Sequence, residues 1–359
     1  MKTSRSCATV VLVAVLAVSA CSKPAHAAWT HLELPVSGSL ELHDLADCAG
    51  RWYAAGAVHD TGGTTHPAAW TSADGKAWTA VPFRPLPTSY YGPHQVILSV
   101  ACSGGKVAMI GAVPGGAHGN PRVSTWLMTG TQKGDKSVES GVMAENPAPF
   151  ETYGGEKAGG VGRIGAGPAG FAIAGDRVSG AAAWFSGDGR TFRLVEDAPG
   201  LADDAGHQTM ARDAAALDDG RWAFVGGAAV RNSLDERAAV WLTTDGTTWA
   251  RDDPPAATGY NEIQRVVRDG SDLVAAGVRG TRFEVWRWHA GTWTAGDAFG
   301  GDPYGVRSLT LAGGKPVVAG GGLWVDGSSK AAPAPPIAVA GRGNTLLMAS
   351  TDGLWSTTV

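Results

Sequence analysis

A short phrase recurs along this chain: a hydrophobic run, then Asp-Gly, then an aromatic residue. It stands at 68–78 (AAWTSADGKAW), 182–192 (AAWFSGDGRTF) and 239–249 (AVWLTTDGTTW), with degenerate echoes at 285–293 and 347–355. Self-similarity at a period of roughly 40–50 residues indicates one supersecondary unit that is used many times. Because such a unit cannot bury its apolar face alone, neighbouring units must stack to form the core.

The unit at 210–251 shows the predicted strands most clearly. Segments 210–217 and 221–229 are strands a and b, joined by an Asp-Asp-Gly turn, and 237–244 is strand c. Asp245-Gly246 then turns the chain into strand d, which starts at 247. Asp-Gly favours a tight hairpin because Gly adopts positive φ freely and the Asp carboxylate accepts nearby backbone N–H bonds.

The same a–b hairpin pattern fits six further segments, which makes seven in total. They are 44–57, 98–112, 162–176, 265–278, 308–322 and 337–350. Four-stranded sheets repeated radially form an all-β fold, the β-propeller, and 52 glycines with 14 tryptophans suit its short strands and tight turns. We predict seven blades. Six is the alternative, because 323–336 is a poor c–d pair that could be an insertion.

The two ends of the chain predict how the ring closes. The last unit has strands a and b and a short strand c at 354–359, but no strand d. Segment 27–36 reads like strand d of the other units. Pairing of this N-terminal strand with the last blade would complete the blade and remove an exposed sheet edge.

The turn phrase resembles the Asp-box, or bacterial neuraminidase repeat, of sialidases, sortilin-type receptors and photosystem-assembly propellers. The usual box has one more residue between Asp and Gly. The resemblance implies a propeller whose box residues hold c–d hairpins away from the ligand face, so that the aspartates are turn formers and not catalytic acids. Enzymes, receptors and scaffolds share the box, so it indicates architecture more than activity. The box residues are Asp74, Trp78, Asp188, Phe192, Asp245 and Trp249.

The N-terminus predicts export. Lys2 and Arg5 precede an apolar stretch at 10–18, which ends in Val-Ser-Ala-Cys at 18–21 and resembles the bacterial lipobox. The resemblance implies a signal peptide at 1–20 and a lipid-bearing Cys21 with a short tether at 21–28. The repeats then place one propeller domain at 29–359. We therefore expect a lipoprotein anchored to the extracytoplasmic side of the cell membrane. The alternative is an ordinary signal peptide that is cut after Ala27.

Cys48 and Cys102 remain after this segment, at corresponding points near the ends of strand a in the first two blades. Outside the cytoplasm such a pair is more often oxidised than free, which favours a disulfide. The alternative is that both are small buried hydrophobic residues.

A ligand site is predicted at the mouth of the channel that the innermost strands surround. Arginines lie near the start of strand a in four successive blades, and the preceding d–a loops carry aromatic and acidic residues. Arginine forks beside aromatic rings suit an anionic or sugar-like ligand. The alternative is that the arginines pair with nearby carboxylates and fill the channel, and their register is open by one or two residues. The candidates are Arg163, Arg212, Arg265, Arg307, Tyr260, Glu262 and Tyr304.

These features favour a binding or scaffolding module for an anionic or glycan ligand or for an extracytoplasmic protein partner. With 29 basic and 33 acidic residues and no basic run, the sequence argues against nucleic-acid binding. We expect no metal, no cofactor and a monomer. The alternative function is a sialidase-like glycoside hydrolase, in which Tyr260 and Glu262 would imitate the nucleophile pair. The Arg-Ile-Pro motif of that family is missing, and FRPLP at 83–87 is better interpreted as a loop.

Overall fold

The computed structural model describes residues 28–116, 119–129 and 141–359. Their strands form seven separate sheets, and the innermost strands of neighbouring sheets contact each other in a closed ring. The protein is a seven-bladed β-propeller, which confirms the predicted fold class and blade number. Cys21 and the predicted signal peptide lie outside the described residues. Among those residues, no helix is both long enough and apolar enough to cross a bilayer.

Each blade carries its strands in the order a, b, c, d from the channel outward. The a strands are β2 (Ser39–Cys48), β7 (Val96–Ser103), β11 (Ala158–Gly167), β15 (His207–Ala216), β19 (Asn261–Asp269), β23 (Ser308–Ala312) and β27 (Ala338–Arg342). The b strands are β3 (Arg51–His59), β8 (Lys106–Gly115), β12 (Gly170–Arg177), β16 (Trp222–Val230), β20 (Asp272–Arg279), β24 (Lys315–Ala319) and β28 (Thr345–Ala349).

The outer strands are shorter, especially at the rim. The c strands are β4 (Thr65–Ser72), β9 (Asn120–Thr129), β13 (Gly180–Ser186), β17 (Glu236–Thr243), β21 (Arg282–His289), β25 (Leu323–Val325) and β29 (Leu354–Thr358). The d strands are β5 (Thr79–Ala80), β10 (Val142–Glu145), β14 (Arg193–Val195), β18 (Ala250–Arg251), β22 (Thr292–Ala295), β26 (Ser328–Lys330) and β1 (Thr30–Leu32). A 3₁₀ turn at Gly92–His94 and one four-residue helix, α1 (Phe150–Tyr153), lie in the d–a loops.

The ring closes as the sequence predicts. β1 pairs antiparallel with β29 in the register Thr30 opposite Ser356, so the N-terminal strand is the outer strand of the seventh blade. The segment at 323–336, which would be an insertion in the six-bladed alternative, supplies β25 and β26 of the sixth blade, as the seven-bladed prediction requires. The prediction that FRPLP at 83–87 is a loop is wrong for its first two residues. Phe83–Arg84 forms β6, which pairs parallel with β10 and adds a fifth strand to the second blade.

The repeated Asp-Gly phrase forms the c–d turn, and its carboxylate acts inside that turn. Asp188 Oδ1 accepts bonds from the N–H groups of Arg190 at 2.8 Å and Thr191 at 3.1 Å, while Ser186 Oγ accepts from Gly189 N at 2.9 Å. Gly189 has a φ of +78°, a conformation that L side chains rarely adopt. Asp74 and Asp245 accept the equivalent pairs of backbone bonds.

The core consists of seven apolar clusters, one in each interface between neighbouring blades. Buried tryptophans on the c strands are among the largest members of five of these clusters, and the small alanines of the b strands let adjacent sheets approach. These c-strand tryptophans are Trp70, Trp126, Trp184, Trp241 and Trp286. A disulfide between Cys48 and Cys102, with Cα atoms 5.6 Å apart, joins the inner strands of the first two blades.

Candidate functional site

Polar side chains at one level of the inner strands hold the blades together around the channel. We call this level the girdle; its polar members, one from each of the first six blades, are Asp44, Ser99, Arg163, Asp213, Arg265 and Ser308, and the apolar Ala338 takes the corresponding position in the seventh.

Each girdle residue with an acceptor oxygen accepts a hydrogen bond from a backbone N–H group of the next blade. Val100 N donates to Asp44 Oδ2 at 2.9 Å, and Val339 N donates to Ser308 Oγ at 3.1 Å. The girdle therefore satisfies backbone donors that the inner strands would otherwise leave unpaired in the channel wall.

Two predicted site arginines, Arg163 and Arg265, belong to the girdle. Arg163 Nη2 donates to Asp44 Oδ1 at 2.6 Å, and Arg265 Nε donates to the carbonyl of Arg307 at 2.7 Å. Burial, together with the charge of Arg163, lowers the pKa of Arg265 to about 10. Burial raises the pKa of Asp213, against the opposing effect of both arginines.

Below the girdle, a cavity of about 860 Å³ opens between the a–b turns, and Arg163 and Arg265 line its floor.

A β-bulge in each long inner strand separates the girdle from the opposite mouth. The register shifts between Ala211 and Asp213, and between Ile263 and Arg265, so Arg212 and Gln264 are the extra residues. Bulges reorient side chains next to functional sites. The inserted residue explains why Arg212 lies at the mouth on the d–a loop side while Arg265 lies in the girdle.

At this mouth, two of the predicted residues, Arg212 and Tyr260, bind the buried carboxylate of a third, Glu262. Arg212 Nε donates to Glu262 Oε1 at 2.6 Å, and Tyr260 OH donates to Glu262 Oε2 at 3.0 Å. Gln264 Nε2 donates to the same Oε2 at 2.7 Å. The Glu262 side chain is 1% exposed, whereas that of Arg212 is 41% exposed. The buried carboxylate therefore holds in place a guanidinium that is accessible to solvent. We call Arg212, Glu236, Tyr260, Glu262 and Gln264 the mouth cluster.

Glu236, at the start of β17, is a member that sequence reasoning missed. Burial and the nearby charge of Glu262 raise its pKa to about 7, while Arg212 lowers it. Burial and the two carboxylates also raise the pKa of Tyr260. At neutral pH this mouth therefore contains a carboxyl group that can either donate or accept a proton. No sequence signal marks Glu236, because it comes from a different strand and meets Tyr260 only through a short parallel bridge.

The remaining two predicted residues form a pair beside the mouth cluster. The Arg307 guanidinium lies 5.8 Å from the centre of the Tyr304 ring, a cation–π distance. Gln264 connects this pair to the cluster, since its Oε1 accepts a bond from Val306 N at 2.6 Å. The structure thus brings Arg212, Tyr260 and Glu262 together, places Tyr304 and Arg307 next to them, and puts Arg163 and Arg265 in the girdle.

The first blade contributes a second acidic group on the same face. Glu41 accepts from His43 at 2.7 Å and from His59 at 2.6 Å, with the imidazole tautomers assigned by these bonds. Burial opposes ionisation of Glu41, but the bonds to both imidazoles outweigh it and lower its pKa. Among the described residues, no group of three His, Cys, Asp or Glu side chains is arranged to hold a metal ion.

The two faces of the disc differ in what they expose. The large apolar and aromatic side chains that are exposed in the described part of the chain lie in d–a loops, in b–c loops or at the d–a end of the channel. They are Val36, Tyr90, Leu98, Phe150, Val178, Leu234, Tyr260 and Tyr304. The a–b and c–d turns of the described residues add none to this set. We call the surface of d–a and b–c loops the aromatic face.

The sequence matches no family model and no curated protein. Its fold is similar to that of virginiamycin B lyase from Staphylococcus aureus, at a TM-score of 0.59 and 14% identity over 93% of this chain and 99% of that one. The propeller domain of the Trilobed protease from Pyrococcus furiosus matches at 0.50 and 9% identity, over 90% and 94% of the two chains.

The extracellular domain of a one-component system from B. thetaiotaomicron matches at a TM-score of 0.53 and 8% identity, over 92% of this chain and 39% of that one. At such identities the likeness shows the fold alone. Enzymes and a sensor share this propeller, so the fold does not choose between catalysis and binding. The Asp-box and lipobox resemblances stay predictions.

Proposed function

We propose that this protein is an extracytoplasmic binding module whose aromatic face and channel mouth bind a polyhydroxylated or anionic ligand. The observation that carries the proposal is the mouth cluster, in which one buried carboxylate fixes an exposed guanidinium, a phenol and an amide. Such preorganised polar groups, set among exposed aromatic rings, are typical of sites that recognise sugars and carboxylates. Polar groups that are already held in place lose little further entropy when a ligand binds.

We further propose that lipid on Cys21 anchors the domain and turns the aromatic face away from the membrane. β1 runs antiparallel to β29 and so starts on the side of the c–d turns. A tether of seven residues, 22–28, reaches at most roughly 25 Å. The c–d turns with Asp74 should therefore lie near the bilayer, and Gly305, on the aromatic face, should point outward.

Two measurements test the anchoring. Cys21→Ala should move the protein from the membrane fraction to the soluble fraction, and the wild type should incorporate labelled fatty acid. Single cysteines at Ala73 and at Tyr304, which is 79% exposed beside Gly305, should react with a bulky maleimide on intact protoplasts, and the reaction should be faster at position 304. Faster reaction at Ala73, or membrane retention of the Cys21 variant, would contradict the orientation or the lipidation.

A glycan array tests the binding function. The mature domain should retain a defined set of glycans, and Arg212→Met or Glu262→Gln should reduce the signal at least tenfold, as expected when a charged hydrogen-bonding partner is lost. Arg190→Gln, an exposed arginine at a c–d turn, is the matched control and should bind like the wild type. Equal binding by all variants would remove the mouth cluster from the ligand site.

A second candidate function, glycoside hydrolysis, rests on two carboxyl groups with different environments. Glu236 has a pKa of about 7, as a general acid needs, and Glu262 is paired with Arg212 and Tyr260. The raised pKa of Tyr260 argues against the phenol as an activated nucleophile. A panel of fluorogenic glycosides, sialosides included, tests this function: turnover that Glu236→Gln abolishes would establish the hydrolase, and no turnover would leave the binding module.

A further inference from the structure

A second cavity, remote from the mouth cluster, lies on the aromatic face at the second blade. It has a volume of about 560 Å³, within the usual range of small-molecule sites. Its walls come from the two d–a loops on either side of the second blade and from β9. The residues that matter below are Ser89, Tyr90, Tyr91, Arg122, Ser124, Glu145 and Phe150.

Aromatic rings form one wall, and two of them face solvent. Tyr90 is 79% exposed and Phe150 is 55% exposed. Tyr90 packs edge-on against Tyr91, with ring centres 5.0 Å apart, so its orientation is supported from below. A rigid exposed ring beside a cavity offers a flat surface on which the C–H face of a sugar ring can stack.

Arg122 stands between these rings and supplies the charge. Its guanidinium carbon is 5.0 Å from the centre of the Phe150 ring and 5.8 Å from that of Tyr91. No carboxylate among the described residues lies within ion-pair distance of it, unlike Arg163, Arg177 or Arg212. The fork is thus held in place by aromatic contacts while its hydrogen-bonding edge has no acidic partner.

The acidic residue of the cavity, Glu145, holds two wall segments together. Glu145 is 7% exposed, and its two oxygens accept bonds from Leu86 N at 2.9 Å, Ser89 Oγ at 2.8 Å and Ser124 Oγ at 2.8 Å. These bonds fix the loop that carries Tyr90 against the strand that carries Arg122. The carboxylate therefore organises the site through three donors and leaves the guanidinium to the ligand.

We infer that this cavity binds a carboxylated pyranose, a uronic-acid-like residue of an acidic glycan, through Arg122 and the aromatic wall. The carboxylate pairs with the guanidinium, and the apolar face of the ring lies on Tyr90 or Phe150. The site goes beyond the mouth cluster of the proposed function and uses different residues in different blades. On the same face, it gives the domain a second point of contact with one glycan chain, which strengthens binding through effective concentration.

Two sugars that differ only in the carboxylate test the inference. Methyl β-D-glucuronoside and methyl β-D-glucoside are titrated into the mature domain and followed by ligand-observed NMR. The glucuronoside should bind about tenfold more tightly, since a charge-assisted pair contributes roughly that factor. Arg122→Gln should remove the preference, and Tyr90→Ala should weaken both sugars. Arg190→Gln is the control and should leave both affinities unchanged.

Several outcomes would overturn the inference. They are no binding of the glucuronoside by wild type at millimolar concentration, equal affinity for both sugars, or an unchanged preference in Arg122→Gln. Tyr90→Ala keeps the test valid if Arg122→Gln folds poorly, because a side chain that is 79% exposed contributes little to the core. Failure here is separable from failure of the proposed function, since loss of glycan binding in Arg212→Met alone assigns the ligand to the mouth.

Discussion

Glu236 makes the stability of the fold depend on pH in a direction opposite to that of most carboxyl groups. Its pKa rises from an ordinary 4.5 to about 7 because burial and the charge of Glu262 disfavour the ionised form. Between these two values the native state binds more protons than the unfolded chain, so the free energy of unfolding falls as pH rises through this window. The contribution is intact below about pH 4.5 and fully lost above about pH 7.

The size of the effect follows from the shift. At about 1.36 kcal/mol per pKa unit, a rise from 4.5 to about 7 corresponds to about 3 kcal/mol. Water reaches part of the half-buried Glu236 side chain and screens its charge, which reduces the expected contribution to about 1–2 kcal/mol. Glu236→Gln keeps the shape of the side chain and removes its ionisation, so it should remove this loss.

Urea unfolding at about pH 5 and about pH 8 measures the effect in wild type, Glu236→Gln and the control Glu156→Gln, which alters an exposed carboxyl. Relative to wild type, the free energy of unfolding of Glu236→Gln should be about 1–2 kcal/mol higher at about pH 8 than at about pH 5. Glu156→Gln should show no such change. If the Glu236→Gln difference is the same at both pH values, Glu236 ionises normally and the proton-exchanging mouth of the second candidate function is also refuted.

Three further predictions concern the scaffold. Replacing Cys48 and Cys102 by Ser should lower the free energy of unfolding by about 4 kcal/mol, since the disulfide closes a 54-residue separation; two free thiols in denatured, unreduced wild type would contradict it. Asp213→Ala should cost about 3 kcal/mol in urea unfolding, because it leaves Arg163 and Arg265 less compensated, and a cost no larger than that of an exposed Asp→Ala change would refute the girdle. Asp188→Ala should lower the free energy of unfolding by about 1 kcal/mol in the same urea assay, because two hydrogen bonds of the turn are lost. Asp188→Asn, which keeps an acceptor oxygen, should recover most of this stability.

The repeat was sufficient to predict the ring. The Asp-Gly turns, the seven a–b hairpins and the strand-like N-terminus are local patterns, and each corresponds to an element of the structure. The β6 strand was missed because its partner lies about sixty residues away and the pairing is parallel, which no local pattern encodes.

The candidate site was predictable only in part. Arg212 and Arg265 look equivalent in sequence, yet Arg212 is the extra residue of its bulge and lies at the mouth, whereas Arg265 follows the bulge of its strand and lies in the girdle. A one-residue slip reverses the side of a strand to which every later residue points, and composition does not record it. Glu236, Tyr90 and Arg122 had no signal of their own, since their significance depends on neighbours from other strands and loops.

Because β1 pairs with β29, the first described strand to be synthesised has no partner until the last one has been made. Thr30 finds Ser356 only after roughly three hundred intervening residues have been made. Contacts this distant in sequence form late, and until then both β1 and the edge of β28 stay open. A chain that stops early would present an unfinished blade to proteases and to other chains. The seventh blade is therefore complete only after β29 has formed and paired with β1.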